Sequence, residues 1–175
     1  SWEYPTSMIS GNNIEAKHYE GASSMMPSGP TILTPDEGVR FAVGPFAITS
    51  RVLGSQTGGA FELYELTLGA ATIDYHVHNT MDETICVVAG EIEFTVAGQK
   101  FSRPAGSVAF IPRGIHHGFT NHGPGKARVL ILFTPSRAQH EYFRALEKLF
   151  AAPTLDTAAL QALQKKYDQV LIKPE

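Results

Sequence analysis

Three histidines and one glutamate stand at spacings that suit a shared metal ion. His76 and His78 are one residue apart in a strand-like run, so both side chains project to the same face, about 6.6–7 Å apart. Imidazole nitrogens at that spacing converge on one ion, at about 2.0–2.1 Å from it, if the strand curves. Glu83 follows a short turn that returns its carboxylate towards the two imidazoles, and His117 completes the set from a distant strand.

Such a donor set suits one divalent transition metal, namely Fe, Ni, Mn, Co, Cu or Zn. It suits Ca²⁺ and Mg²⁺ poorly, because both ions prefer oxygen ligands. Four protein ligands either close a tetrahedral structural site or leave open positions on a metal that takes five or six ligands, and only the second arrangement supports chemistry. The alternative without a metal is a set of satisfied polar groups in a barrel interior. It is disfavoured because unpaired buried charge is costly.

Short apolar segments, interrupted by glycine and proline, surround these four residues. They are rich in Val, Ile, Thr, Phe and Tyr, which predicts short antiparallel strands in a barrel or sandwich. The stretch from Glu91 to Phe101 predicts a hairpin whose tip lies at Ala97–Gly98 or Gly98–Gln99. The predicted strands are Phe41–Val43, Ala47–Val52, Phe61–Leu68, Thr72–Val77, Thr84–Ala89, Glu91–Val96, Ser107–Ile111, His117–Asn121 and Ala127–Phe133.

The composition divides the 175 residues into three regions of one domain. Residues 1–39 are rich in Gly, Pro, Ser and Met and lack apolar periodicity, which predicts an N-terminal arm. Residues 40–134 form the predicted barrel, and residues 135–175 form a helical tail. The arm's aromatic residues are predicted to anchor it on the barrel or on a partner subunit; they are Trp2, Tyr4 and Tyr19.

Two helices are predicted in the tail, packed on the outside of the barrel. Ser136 and Gln139 form a capping-box pattern, and the apolar face from Tyr142 to Phe150 has helical spacing and is assigned to packing. A second helix is predicted from about Asp156 to Tyr167, with its leucines at positions 160 and 163 pointing inward.

The composition also excludes several functional classes. The net charge of −3 offers no basic surface for nucleic acid or anionic lipid, and no apolar run is long enough to span a membrane. Cys86 is the only cysteine, which excludes an intrachain disulfide and a thiolate-rich zinc site. A lone cysteine favours a reducing, cytoplasmic compartment. No charged leader followed by an apolar stretch is visible, so no signal peptide is predicted.

The wider spacing resembles the two sequence motifs of the cupin superfamily. The second motif matches at every fixed position, whereas in the first motif six residues separate Gly69 from His76 where the family usually has five. The motifs span about a third of the chain. The resemblance implies an all-β fold, an antiparallel jelly-roll barrel, with His76, His78, Glu83 and His117 as metal ligands. The matching positions are Gly69, His76, His78, Glu83 and Gly90, then Gly106, Pro112, Gly114, His117 and Asn121.

Within that superfamily the chain is similar to the bacterial quercetin 2,3-dioxygenase-like proteins. The similarity lies in the run Arg113–His117 and in the step from Thr134–Pro135 into an aromatic helix. In that group the metal binds an enolic flavonol and O2, and the metal-bound glutamate takes the hydroxyl proton. The resemblance therefore implies a metal-dependent dioxygenase acting on an apolar or aromatic small molecule, with Glu83 as ligand and catalytic base. It also suggests a homodimer built on exposed sheet edges.

Two other functions stay open. One is a non-oxidative isomerase, cyclase or decarboxylase that uses the metal as a Lewis acid. The other is a module that binds a small molecule without turnover. A DNA-binding regulator is disfavoured, because no helix-turn-helix pattern precedes the barrel.

Several residues near the motifs have structural interpretations. Phe119 lies two residues from His117 on the same strand face, so it is predicted to form a pocket wall. Asn121 either contacts the ligands or fixes a turn, and His116 is predicted to point away from the site. Packing is as good an explanation as pocket lining for the other phenylalanines. Asp74 and Asp82 flank the ligands and either orient them through hydrogen bonds or, as the favoured interpretation, are solvated turn residues. Loop or core positions explain the remaining polar candidates. These residues are Phe61, Phe94, Phe110 and Phe133, then His18, His122, His140, Asp74, Asp82 and Cys86.

Overall fold

The computed structural model describes residues 29–172, so the anchoring predicted for Trp2, Tyr4 and Tyr19 and the loop position predicted for His18 lie outside the described residues. The described part contains eleven strands, one short 3₁₀ helix at Gly54–Thr57 and two α-helices. The strands are β1 (Val39–Val43), β2 (Phe46–Val52), β3 (Glu62–Leu68), β4 (Ala71–Val77), β5 (Asp82–Ala89), β6 (Glu91–Val96), β7 (Gln99–Pro104), β8 (Val108–Ile111), β9 (His117–Asn121), β10 (Ala127–Thr134) and β11 (Val170–Leu171). The helices are α1 (Gln139–Phe150) and α2 (Thr157–Lys166).

The strands form two antiparallel sheets. One has the order β1-β2-β3-β10-β5-β8, and the other has the order β11-β4-β9-β6-β7. Burial alternates along β3 and β5, because every second side chain points between the sheets. The core includes Tyr64, Ile85, Phe94 and Val129. This arrangement confirms the predicted all-β, antiparallel jelly-roll fold.

The strand predictions are confirmed to within two residues at each end. The hairpin tip is Ala97–Gly98, where both residues have positive φ values, 48° and 78°. Those angles are typical of a two-residue type I′ turn. The return strand of this hairpin, β7, extends to Pro104 and is longer than predicted, and β11 was not predicted.

The two helices differ in how well their starts were predicted. Asp156 caps α2, since its side chain accepts a hydrogen bond from the Ala159 amide at 2.9 Å. The capping box of Ser136 and Gln139 is wrong. The carboxylate of Glu62, buried on β3, instead accepts the amide of Gln139 at 3.1 Å. A carboxylate at a helix N-terminus also interacts favourably with the helix dipole, and an uncharged serine hydroxyl lacks this electrostatic stabilisation.

The prediction that the tail packs on the outside of the barrel describes only part of its role. Tyr142 and Leu146 of α1 belong to the same buried cluster as the strand residues. The Ala42 amide on β1 donates to the Glu147 carboxylate at 2.8 Å, which fastens α1 to the sheet edge. The tail therefore completes the core. Neither helix of the described segment has the length and apolarity needed to cross a bilayer.

Candidate metal centre

The four candidate ligands come from both sheets. His76 on β4 lies opposite His117 on β9 in the smaller sheet, and Glu83 lies on β5 in the larger sheet. His78 is the first residue after β4, where the chain crosses towards the other sheet. All four side chains are buried, with at most 4% of each residue exposed. The fold thus brings together every residue that the motifs predicted as a ligand.

The donor atoms face one another at short range. The Nε2 atoms of His76 and His78 lie 3.2 Å apart. Oε2 of Glu83 lies 2.7 Å from Nε2 of His117, 3.1 Å from that of His78 and 4.0 Å from that of His76. Ligand bonds of about 2.0–2.2 Å place neighbouring donor atoms about 3 Å apart and opposite ones about 4 Å apart. The four donor atoms all lie within 4.8 Å of one another, so the set could hold a single metal ion.

The second nitrogen of each imidazole shows why those donors point inward. Nδ1 of His76 donates to the Asp74 carbonyl at 2.6 Å, and Nδ1 of His117 donates to the Ile115 carbonyl at 2.9 Å. Nδ1 of His78 donates to the Asp168 carbonyl at 2.6 Å. A carbonyl only accepts, so the proton of each neutral ring sits on Nδ1 and the Nε2 lone pair is directed into the site. Three lone pairs and a carboxylate then meet, and a divalent cation satisfies all of them.

The electrostatics point the same way. Burial, followed by the neighbouring His117, lowers the pKa of His76 to about 3, so this ring resists protonation. Burial opposes the ionisation of Glu83, but hydrogen bonds from His117 and His78 outweigh it and hold the pKa of Glu83 well below its usual value. Burial also lowers the pKa of His78, but its bond to Glu83 outweighs that effect and leaves the pKa raised. Without an ion, a hydrogen bond to Glu83 requires a second ring proton, on Nε2; a bound cation would take the place of that proton and use the Nε2 lone pair instead.

A glycine that the motif analysis did not single out allows the two histidine strands to approach. A Cβ atom at Gly118 would lie 2.7 Å from the Ile73 carbonyl oxygen and 3.2 Å from the Asp74 backbone. The register of β4 on β9 shifts between Ile73 and His76, beside this contact. Because the backbones meet so closely, His76 and His117 face each other with ring centroids 4.3 Å apart.

The loop before His117 is tied to the other ligands. The Gly114 amide donates to the His78 carbonyl at 2.7 Å. The Arg113 guanidinium binds both carboxylate oxygens of Asp82, at 3.0 and 2.9 Å, and these bonds lower the pKa of Asp82 to about 2. Asp82 precedes Glu83, so the interpretation in which it helps to orient the ligands fits better than that of a solvated turn residue. Asp74 contributes through its carbonyl, which holds His76.

A cavity of about 160 Å³ lies against the ligand set. His76, His78 and Glu83 contribute to its lining, whereas His117 does not. A molecule in the cavity would therefore reach the open side of the site. This geometry supports an ion with accessible positions over a closed structural site.

Aromatic and aliphatic side chains form most of the cavity wall. Phe119 and Phe133 contribute from the strands, as does Tyr64. The α1 face from Tyr142 to Phe150, which the sequence assigned to packing, also lines the cavity. Its helical period reveals an apolar face but does not reveal what that face covers. The α1 residues in the lining are Tyr142, Phe143, Leu146 and Phe150.

The remaining candidates lie away from the ligands. His116 is exposed and meets the Tyr75 ring edge-on, as its predicted orientation implies. Asn121 fixes a turn by binding the carbonyls of Leu68 and Gly125 and the amide of Gly123. The others have these positions: Phe110 and His122 are exposed, Phe61 and Cys86 are half-buried, Phe94 packs on Phe119, and His140 is half-buried against Phe41.

The comparison with known sequences falls on the same region. Residues 62–133 match the family model described as the cupin domain. A 91-residue stretch, 51% of this chain, is 33% identical to quercetin 2,3-dioxygenase of Bacillus subtilis (strain 168) and covers 27% of that protein. The chain thus spans about a quarter of the length of this relative.

Solved structures share the fold at low sequence identity. KdgF from Halomonas sp. superposes with a TM-score of 0.58 and 19% identity, over 64% of this chain and 99% of that one. The polyketide cyclase RemF from Streptomyces resistomycificus gives a TM-score of 0.56 and 19% identity, over 63% of this chain and 82% of that one. Residues 62–133 therefore form a cupin domain, which carries all four residues of the candidate metal centre and resembles quercetinase-like proteins.

Proposed function

We propose that this protein is a metal-dependent cupin enzyme, and specifically a dioxygenase that acts on an enolic or aromatic small molecule. The observation that carries the proposal is the convergence of three Nε2 lone pairs and the Glu83 carboxylate at the wall of an apolar cavity. The bound ion, one of Fe, Ni, Mn, Co, Cu or Zn, would supply Lewis acidity and, if redox-active, a route for electrons to O2.

Each ligand has a defined task in this proposal. His76, His78 and His117 hold the ion, and their Nδ1 hydrogen bonds to backbone carbonyls keep the rings oriented. Glu83 holds the ion as well and faces the cavity, where its carboxylate accepts the hydroxyl proton of the substrate. The aromatic wall excludes water from the deprotonated substrate.

The cavity lining favours an uncharged substrate. Among the described residues, no lysine or arginine lines the cavity, so a carboxylate or phosphate group would find no side-chain counter-ion there. The volume is close to that of an apolar cavity of about 150 Å³ that binds benzene. The cavity is partly open, so one aromatic or enolic ring of a substrate fits inside it and the rest of a larger molecule would extend through the opening. The similarity to a quercetin 2,3-dioxygenase supports flavonols as the first substrates to try.

The test is oxygen consumption by protein reconstituted separately with each candidate metal. Glu83→Gln is expected to abolish turnover, because an amide does not accept the proton, while it removes less metal than His76→Ala. Metal content by elemental analysis and oxygen uptake are measured on the same samples. Equal metal loss in the two variants would remove the case for a separate base role.

The non-oxidative enzyme is the second candidate, since the same site provides a Lewis acid without needing O2. Turnover that is unchanged under anaerobic conditions, with a redox-inert ion such as Zn²⁺ bound in the native protein, would favour it. Ligand binding without turnover would favour the small-molecule-binding module. The homodimer suggested by the family is tested separately by sedimentation of the full chain.

A further inference from the structure

Asp168, which no sequence motif includes, forms hydrogen bonds with three residues beside the candidate metal centre. Its carbonyl accepts the Nδ1 proton of His78 at 2.6 Å. Its carboxylate accepts the Asn79 amide at 2.9 Å, the Thr80 amide at 2.7 Å and the Thr80 hydroxyl at 2.8 Å. Asn79 and Thr80 begin the turn that leads from His78 to Glu83. One residue therefore holds a ligand and the turn between two ligands.

The backbone around Asp168 fits this task. Its φ of 61° lies in the left-handed region, which aspartate adopts more readily than most residues. This conformation turns the chain from α2 into β11, and Leu171 of β11 pairs with His76 on β4. The same segment lines the cavity through Gln169 and Leu171. The end of the tail is thus fastened to the strand of one ligand and to the ring of another.

We propose that Asp168 is a positioning residue for the metal centre, which fixes the ring of His78 and the turn to Glu83. The inference rests on the proposed function, in that it requires the four-residue set to bind a metal. His76 and His117 each use a carbonyl two residues earlier in the chain, whereas His78 depends on a carbonyl 90 residues away. The orientation of His78 therefore depends on the tail, and the Asp168 carboxylate keeps the tail in place through three hydrogen bonds to charge.

The test compares Co²⁺ binding by full-length variants of this residue. Asp168→Gly keeps the left-handed backbone accessible and removes the carboxylate. Asp168→Asn keeps the size and one acceptor oxygen. Asp156→Ala is the matched control, because it removes the cap of α2 in the same tail but no contact to His78. The readouts are the Co²⁺ dissociation constant and the visible absorption spectrum at saturation, which reports ligand geometry independently of activity.

Loss of an outer hydrogen-bond partner of a metal ligand typically weakens metal binding about 10–100-fold. Asp168→Gly keeps the carbonyl that binds His78 but frees the tail that carries it, so we expect a loss at the lower end of that range, about tenfold, with an altered spectrum. Asp168→Asn should fall between it and the wild type, and Asp156→Ala should bind within about twofold of the wild type. If Asp168→Gly fails to fold, a weaker affinity and altered spectrum in Asp168→Asn carry the proposal.

Three outcomes would overturn it. Wild-type affinity and spectrum in both Asp168 variants would show that the contacts do not position His78. An equal loss in Asp156→Ala would assign the effect to general loosening of the tail. A wild-type protein that does not bind Co²⁺ at all would overturn the metal site itself, and this result is distinct from the other two because it appears before any variant is compared.

Discussion

The two sides of the cavity are built in different ways. On the ligand side, His76 and His117 are oriented by carbonyls two residues away, and the strands that carry them are adjacent. On the apolar side, the wall is assembled from strands of both sheets and from the helical tail, whose residues are distant in sequence. Short-range interactions therefore orient two of the three imidazoles, while long-range packing shapes the space in front of the ligand set.

The difference implies that the two sides respond to different changes. Loss of a ligand should remove the ion while the core stays packed, because the apolar cluster does not depend on the imidazoles. Loss of a wall residue should weaken the fold while the ligands stay in place. His78 is the exception, because its ring depends on Asp168 in the tail.

The largest effect is expected on the ligand side. His76→Ala removes one of the four donors and should weaken metal binding by more than about 100-fold, beyond the range for outer hydrogen-bond partners. His116→Ala is the matched control, because this neighbour of His117 is exposed and points away. Metal content after dialysis, measured by elemental analysis, checks both variants. Equal metal retention in the two would contradict the ligand assignment.

The second-largest effect is expected on the apolar side, where the free energy of unfolding should change. Leu146 on α1 is 7% exposed and lines the cavity, so Leu146→Ala should lower the free energy of unfolding by about 2–5 kcal/mol. Urea denaturation measures this loss. The folded variant should still bind a full equivalent of metal, because the substitution removes none of the four donor atoms. Loss of the ion from the folded variant would show that the two sides are coupled through the wall.

The smallest effect is expected where the histidine strands meet. A side chain at Gly118 would collide with the Ile73 carbonyl, so Gly118→Ala must shift a backbone and should cost about 1–3 kcal/mol of stability. The shift should also weaken metal binding, since it separates His76 from His117. Gly69→Ala is the control, because a Cβ there has no neighbour within 4 Å. Similar denaturation midpoints and metal affinities for the two variants would contradict the close-approach argument.

Much of the barrel could be predicted because its signals are short in range. Each strand shows its own residue preferences, and the Ala97–Gly98 tip depends on only two residues. The motif spacing was enough to select the four candidate ligands. Strand alternation placed Phe119 on the same strand face as His117, and Phe119 does line the cavity. The extra residue between Gly69 and His76 falls where no close approach requires glycine, because a Cβ atom at Gly69 would meet no atom within 4 Å.

Sequence by itself thus determined where most of the strands lie along the chain and which side chains share a face, because alternation and turn chemistry act over a few residues. Only the tertiary structure decided which distant groups serve the site. Glu62 caps α1, Asp168 holds His78, and α1 forms part of the cavity wall. The first two contacts join residues 77 and 90 positions apart. No local sequence pattern identifies a partner that only the packing of the two sheets and the tail brings near.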